Sequence, residues 1–429
     1  MQYGEGIRNA RARQRAFLIA AGPDEADLAE LRELLRTAGV AVAGELFQRR
    51  PAPDPDRYLG KGKLVELKQA LTEADANLVA VDDELKPRQE RNLEEALGVP
   101  VIDRTAIILD IFAEHASSAE GKLQVELAQL EYNLARMRGL WTHLERLGAG
   151  RMDGGIGTRG PGESQIETDR RLARDRISAL RRRLEHTKGS RSTMRRERDR
   201  AGLPTVALAG YTNAGKSTLL NAITGSDVGV RERLFHTLDP TTRNFEIAGR
   251  SYLLTDTVGF IRKLPHQVVD AFSATLEEAM GADLIVHVAD ASAPEAELHA
   301  MIAAVEDVLS EVGAGERPRL LALNKVDLLD ADRRRELGFR FPRAIQVSGE
   351  TGEGLDDLNE AIEARFLNSL QAMDLLVPYE DGASLSELHR LAGELEREDT
   401  PDGVRVRARV PAAAAPRFER FSQNGHAGG

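Results

Sequence analysis

The sequence predicts an α/β protein, and three observations predict it. Short apolar runs bounded by turn residues recur over residues 1–117 and again over 201–370. Each run is followed by apolar residues at three-to-four spacing, so strands alternate with helices and each stretch should form a mainly parallel sheet. Between the two stretches the apolar residues fall into a heptad seam, the pattern of long packed helices.

In the first stretch, FLIAA (17–21), VAVAGEL (40–46), LVAVD (78–82) and VPVID (99–103) read as strands. DEADLAELRELLRTAG and KLVELKQALTEA between them carry the spacing of amphipathic helices. Over residues 118–200, Leu123, Leu127, Leu130, Leu134, Met137, Trp141 and Leu144 repeat at alternating steps of four and three. A glycine-rich break at 147–163 follows, then a charged helix from about Ser164 to Arg200 in which Ala173, Ile177, Leu180 and Leu184 keep the same spacing. Two such helices make an antiparallel hairpin with arms roughly 45 Å long. Its tip holds seven glycines between Gly148 and Gly162, with Arg151 and Arg159. Taken alone, the tip is either a linker or a loop whose bare backbone approaches a large ligand.

From 201 to 370, strands at 205–209, 252–255, 284–289, 319–323 and 344–347 alternate with helical patterns, a doubly wound domain. Residues 371–429 read as a small α+β appendage: a strand at LLVPY, a helix Ser384–Glu398, a strand at 404–410 and a disordered tail.

Composition bounds the function. Apolar residues make up 41% of the 429 and charged residues 30%, the balance of a soluble globular chain. No apolar run is long enough to span a membrane. Without cysteine there is no disulfide, thiol nucleophile or thiolate metal site, which fits a cytoplasmic protein. The net charge of −11 conceals one basic stretch, 169–200, with thirteen Lys or Arg against five Asp or Glu. It is either a solvated helix face or a contact for a polyanion.

The chemistry is carried by motifs at the strand ends of the second alternation. GYTNAGKS (Gly210, Tyr211, Thr212, Asn213, Ala214, Gly215, Lys216, Ser217) follows a buried-strand pattern and opens a helix, the context of a phosphate-binding loop. Gly210 and Gly215 let backbone N–H groups turn toward one anion, and the helix start adds its dipole. Lys216 brings a compact charge to the outer phosphates; the Ser217 hydroxyl is placed for Mg²⁺. Only nine of the 58 basic residues are lysines, so a lysine here is a specific choice. DTVG (Asp256, Thr257, Val258, Gly259) ends a strand, where Asp256 can hold Mg²⁺ through its water shell and the Gly259 N–H can sense a γ-phosphate. NKVD (Asn324, Lys325, Val326, Asp327) selects the base, because the Asp327 carboxylate accepts from N1 and N2 of guanine, and adenine offers neither hydrogen. Asn324 bridges base and phosphate loop, the Lys325 stem covers the purine, and Ser348, Gly349 and Glu350 complete the pocket. The chain is thus expected to bind GTP and GDP with Mg²⁺ and to hydrolyse GTP.

Phe235, His236, Thr237, Leu238 and Asp239 open the segment FHTLDPTTR, expected to close over the γ-phosphate. Thr237 is the candidate second hydroxyl on Mg²⁺, with Thr241 and Thr242 as alternatives. Lys216, Thr237 and Gly259 would carry catalysis. Phe260 and Ile261 stand where a water-positioning Gln is often found, so intrinsic hydrolysis should be slow. Asn213 is a candidate ligand for K⁺, a loop hydrogen bond being the other reading.

Outside these motifs, YLGKGKLVEL (58–67), the run DDELKPRQERNLEEALGVPVIDRTAIILDIFAEHA (82–116), GGIGTRGPGESQIETDRR (154–171), LFHTLDPTTR and DTVGFIRKLP resemble the HflX family of ribosome-associated GTPases over about residues 15–365. The resemblance implies an N-terminal α/β domain with a helical hairpin that binds the 50S subunit or the 70S ribosome and its rRNA. It implies a GTPase stimulated by that subunit and able to split stalled ribosomes. It also implies ATP use through the N-terminal domain, which Asp327 does not predict for the GTP site. The basic stretch then becomes an rRNA-facing arm and the glycine tip a backbone probe. This sequence has Gly349 where the family usually has Ala, and residues 371–429 fit it less well. The expected state is a monomer. The competing readings are a GTP-gated module acting on a protein partner through the hairpin, and an RNA-modifying GTPase, for which no second catalytic constellation is present.

Overall fold

Four apolar runs pair in parallel to make the first sheet. The computed structural model describes residues 14–24, 27–136, 161–201, 203–226, 234–235, 241–263, 281–367, 370–392, 395–412 and 414–422; within 161–201, side chains are described only for 167–187. Strands β1 (Arg15–Gly22), β2 (Ala41–Arg49), β3 (Leu78–Val81) and β4 (Val101–Asp103) lie in the order β2-β1-β3-β4. The two central strands, β1 and β3, are buried along almost their whole length, as parallel strands covered on both faces must be. Helices Ala29–Thr37, Lys61–Glu73, Pro87–Leu97 and Arg104–His115 cover them. Phe17, Ile19, Leu67, Val79, Val81 and Leu93 lie in the core.

Asp103 ties this layer together. Its Oδ1 caps the helix Arg104–His115 by accepting from the Ala106 N–H at 2.9 Å and takes the Tyr132 hydroxyl at 2.8 Å. Its Oδ2 accepts from the Leu85 N–H at 3.0 Å and from Arg136 Nη2 at 2.8 Å. A buried carboxylate with four donors is satisfied rather than costly.

Part of the heptad seam lies within the described residues. The helices Ala119–Arg136 and Pro161–Ala201 pack through Leu123, Leu127, Leu130 and Leu134 against Ile177, Leu180 and Leu184. Arg176–Glu126 (2.7 Å) and Arg181–Glu131 (2.8 Å) flank that strip. The second helix begins at Pro161, three residues before the expected start, because proline fits the first helical turn, where its missing N–H is no loss. Met137, Trp141, Leu144 and most of the glycine tip lie outside the described residues.

By contacts the chain divides into two units, the first comprising residues 1–185, 233–235 and 263–272. Phe235, expected in the segment over the nucleotide, packs in this first unit. Its ring meets Phe112 edge-on at 4.6 Å, and its carbonyl accepts from His115 Nδ1 at 2.9 Å. Lys263 belongs here too, donating to Asp83 Oδ1 at 2.6 Å.

The second unit comprises 186–232, 236–262 and 273–429. Its main sheet contains β5 (Thr205–Gly210), β6 (Thr241–Ile247), β7 (Arg250–Asp256), β8 (Leu284–Asp290), β9 (Arg319–Asn324) and β10 (Ile345–Gln346), in the order β10-β9-β8-β5-β7-β6. The pairs are parallel except β6 with β7. Helices Lys216–Thr224 and Leu355–Leu367 bury Leu219, Leu220, Leu358 and Ile362 against one face. Helices Glu295–Glu311 and Ala331–Arg340 bury Leu298 and Leu337 against the other. The sheet is therefore doubly wound.

Strand β6 departs from the expectation of a loop over Thr241, Thr242 and Arg243. These residues start an edge strand in which Phe245 and Ile247 face the core and Glu246 faces out. The hairpin to β7 turns at Ala248 (φ 47°) and Gly249 (φ 74°), two successive left-handed residues that match the twist of the strands they join.

The C-terminal residues form an antiparallel sheet ordered β11-β13-β12, with β11 (Leu370–Val377), β12 (Glu396–Thr400) and β13 (Gly403–Pro411). The helix expected over Ser384–Glu398 instead spans Gly382–Ala392. Glu396–Thr400 is a strand because Gly403 (φ 147°) permits a tight return that pairs it with β13. The buried Arg250 of β7 caps the helix end, donating to the carbonyls of Leu391 (3.1 Å) and Ala392 (2.8 Å).

Candidate nucleotide-binding site

The site is built where the strands of the main sheet end. β5 runs into the loop Gly210–Ser217, and Lys216 starts the helix behind it. Gly210 passes so close to β8 that a Cβ there would lie 2.2 Å from the Val288 carbonyl oxygen. Gly215 has φ 85°, and a Cβ on it would lie 2.3 Å from Asn324 Nδ2. Both glycines are therefore dictated by close approach as well as by the turn. Asn213 (φ 61°) supplies a further left-handed residue and is exposed.

Lys216 is buried, and its Nζ donates to the carbonyls of Gly210 (3.0 Å) and Tyr211 (2.9 Å). Burial lowers its pKa to about 8, with the nearby Asp256 charge opposing the shift. The ammonium thus lies folded along the inside of the loop, positioned for an anion that the loop would enclose.

Of the residues expected around Mg²⁺, Ser217 and Asp256 meet, while Thr237 lies outside the described residues. Ser217 Oγ donates to Asp256 Oδ2 at 2.6 Å. A hydroxyl and one carboxylate are the hard, sparse donor set that suits Mg²⁺, which takes its remaining ligands from water and phosphates. Among the described residues no group of three or more His, Cys, Asp or Glu could hold a metal, so the set does not suit a site made of protein ligands alone.

Gly259 is pressed against the phosphate loop: a Cβ there would lie 2.8 Å from Thr212 Cγ2 and 3.1 Å from Lys216 Nζ. The two segments zip together, Phe260 N donating to Gly210 O (3.0 Å) and Thr212 N to Phe260 O (2.7 Å). Phe260 and Ile261 are each 1% exposed, so neither presents a side chain to solvent. Thr257 donates its hydroxyl to Leu208 O at 2.7 Å and anchors the end of β7 to β5.

Asn324 joins the base motif to the phosphate loop. Its Nδ2 donates to Ala214 O at 2.8 Å, while its Oδ1 accepts from Gly349 N at 3.0 Å. Asp327 Oδ1 accepts from Ser348 Oγ at 2.6 Å, and that hydroxyl in turn accepts from Thr351 N at 3.1 Å. Val326 is buried, its N–H donating to Val347 O. Lys325 (φ 67°) reaches Asp290 Oδ2 at 2.6 Å. Gly349 packs closely on the helix behind the phosphate loop: a Cβ on it would lie 3.0 Å from Leu219 N and 3.2 Å from Leu219 Cα. Glu350 is exposed.

His236, Thr237, Leu238 and Asp239 lie outside the described residues. Of the alternatives to Thr237, Thr242 Oγ1 is hydrogen-bonded to Thr255 Oγ1 at 2.9 Å, and Thr241 lies opposite Asp256 in the β6–β7 register. Sequence reasoning missed Asp290 as a support and named Tyr211 only as a residue of the loop. Asp290 ends β8 as the other motif residues end their strands, a signal that was present. The Tyr211 hydroxyl accepts from Arg262 N at 2.8 Å, a contact no local pattern announces.

Three family models match the chain: "GTP-binding GTPase N-terminal" over residues 25–113, "GTP-binding GTPase Middle Region" over 115–198 and "50S ribosome-binding GTPase" over 205–325. A GTPase HflX of Caldanaerobacter subterraneus subsp. tengcongensis is 46% identical over 416 residues, covering 96% of this chain and 94% of the relative. GTPase HflX of Escherichia coli is 44% identical over 395 residues, covering 90% of each. Among solved structures, a GTP-binding protein of Sulfolobus solfataricus in complex with GDP is similar at 27% identity and a TM-score of 0.42, covering 82% of this chain and 98% of that one. With relatives this similar along nearly its full length, the chain belongs to the HflX family of GTPases.

Proposed function

We propose that this chain binds the 50S subunit or the 70S ribosome, contacts its rRNA, and couples GTP binding and hydrolysis to ribosome dissociation in rescue or biogenesis. The observation that carries the nucleotide half is the Asn324 bridge, which locks the guanine-reading loop to the phosphate loop. The ribosomal half is supported by the match of residues 205–325 to the family model "50S ribosome-binding GTPase" and by the basic stretch 169–200. Ser217 and Asp256, with Thr237 from the preceding segment, would hold Mg²⁺ directly or through water; when bound, the ion neutralises charge on the β- and γ-phosphates. Asn213, exposed at the turn of the loop, is the proposed ligand for K⁺.

The chain's own residues then divide the work. Lys216 draws charge from the outer phosphates, Gly259 offers its N–H to the γ-phosphate, and Asp327 with Ser348 holds the base. Because Phe260 and Ile261 are turned into the protein, no side chain there orients the attacking water. Intrinsic turnover should be about 10⁻⁴ s⁻¹, with large subunits raising it about tenfold or more. Phosphate release measured with purified 30S, 50S and 70S particles tests this. Rates indifferent to every particle would sink the ribosomal half and leave the nucleotide site standing.

Neutralising Arg182, Arg183, Arg195 and Arg196 together should weaken ribosome binding and lower its log–log salt slope by about 0.7–0.9 for each phosphate left without its arginine. Sedimentation at several salt concentrations, in GDP and in a non-hydrolysable GTP analogue, gives the slopes. Identical slopes for variant and parent would remove this arm from the interface.

A further inference from the structure

The face of the main sheet covered by the helices Glu295–Glu311 and Ala331–Arg340 carries one residue that its apolar packing does not explain. Along β8, Ile285 and Ala289 face this layer, and between them stands His287. It is 3% exposed, and its Nε2 is buried with no hydrogen-bond partner among the described residues. An orphaned imidazole nitrogen in a strand interior costs stability, so a sequence that keeps it calls for an explanation.

Over His287 lies a cavity of about 430 Å³. Its rim is basic: Arg319 from the start of β9, Arg340 from the end of its helix, Arg343 from the turn before β10, and Arg365 from the helix Leu355–Leu367. Arg340 is held by Glu295 and Glu336, and Arg319 by the Gly315 carbonyl. Arg343 and Arg365 are exposed and form no ion pair among the described residues; Glu306 is the one carboxylate in the lining. Ile302, Leu320, Phe341 and Pro342 supply apolar wall.

We infer that this cavity is a second ligand site, which takes a small phosphate monoester of about mononucleotide size. Guanidinium forks match phosphate oxygens in pairs, and several converging on one hollow select a multiply charged group over a single carboxylate. The volume falls in the range of small-molecule sites, and the apolar wall suits the organic part of the molecule. The buried His287 in the lining favours a ligand small enough to enter the hollow. The site is separate from the GTP site. The nucleotide motifs occupy the C-terminal ends of the strands, whereas Arg319 opens β9 and Arg343 precedes β10. It is also linked to that site. His287 lies beside Ala209 in the β5–β8 register, one residue before Gly210, and burial together with the charges of Arg319 and Lys216 holds its imidazole neutral.

The test uses the full chain saturated with GDP and Mg²⁺, which closes the nucleotide site to the probes. Inorganic phosphate, adenosine 5′-monophosphate and adenosine are titrated by calorimetry, and the imidazole resonances are followed by NMR, with His287→Gln giving the assignment. Adenosine 5′-monophosphate should bind and shift the His287 signals, inorganic phosphate should compete, and adenosine alone should not bind. Arg343→Gln with Arg365→Gln, both at exposed positions where folding should be unaffected, should weaken that binding at least about tenfold while GDP affinity stays at the parental value. Silence of the His287 resonance toward both phosphates, or equal binding by the double variant, would overturn the inference. Failure of the parent to bind GDP would count against the nucleotide site instead, a separate result.

Discussion

Asp327→Asn is expected to lower affinity for GDP and GTP by about 10⁴-fold and to transfer preference to the xanthine nucleotides. The geometry explains why so small a change should matter so much. One carboxylate oxygen is already fixed by the Ser348 hydroxyl at 2.6 Å, and that hydroxyl is fixed by the Thr351 N–H, so the carboxylate cannot swing aside. Guanine presents two donors, N1–H and N2–H, to such a group. An amide in its place turns an N–H₂ donor toward one of them and leaves a buried donor pair unmatched. Xanthine carries a carbonyl at C2 and accepts from the same amide. Calorimetry with GDP and xanthosine diphosphate, each with Mg²⁺, reads both effects. A folded variant that binds GDP as the parent does would show that Asp327 is not the base reader.

What the sequence discloses, and what it hides, follows from how far each feature depends on distant residues. The phosphate loop is legible because its residues stand together in sequence: Gly215 answers to a left-handed turn, and Lys216 and Ser217 to the chemistry of a charged ligand. The approaches of Val288 to Gly210 and of Asn324 to Gly215 come from distant strands and appear only in the fold. The parallel strands are legible for the same reason, since burial on both faces leaves an unbroken apolar run such as LVAV in β3. Strand β6 is hidden because an edge strand is half polar, and its first residues, Thr241–Arg243, continue a motif that reads as loop. The C-terminal helix reads too long because Glu396–Thr400 is charged and helix-compatible. Only its pairing with β13, settled by the return at Gly403, makes it a strand. Asn324 reads as a bridge from the motif alone, but its partners Ala214 and Gly349 lie 110 and 25 residues away. His287 shows the opposite case. In sequence it is one polar residue in an apolar strand, and nothing local says that its nitrogen would be left without a partner among the described residues.

The second large effect concerns pH and Lys216. Burial brings this ammonium's pKa from 10.5 down to about 8 in the nucleotide-free protein, despite the attraction of Asp256. The unfolded chain keeps that proton up to its ordinary value. Between about pH 8 and 10.5 the folded state therefore binds fewer protons, and this group's contribution to stability improves as pH rises through that window. Nucleotide binding runs the other way. A polyphosphate against Nζ favours the ammonium, so the pKa in the complex lies above that of the free protein. Below pH 8 binding should be proton-neutral at this residue; above it, binding should draw in up to one proton, and affinity for GDP should fall by about tenfold per pH unit. Calorimetry in buffers of different ionisation enthalpy, from pH 7 to 9, counts the proton directly. Lys216→Met should abolish the uptake, flatten the pH dependence and weaken GDP binding by about 100-fold or more, since the charge-assisted hydrogen bond to the phosphates is gone. Its nucleotide-free melting temperature should nonetheless hold or rise, because a buried charge leaves with the side chain. If melting of the free protein dropped sharply while proton uptake stayed as in the parent, Lys216 would be a structural residue and the loop would bind its anion without it.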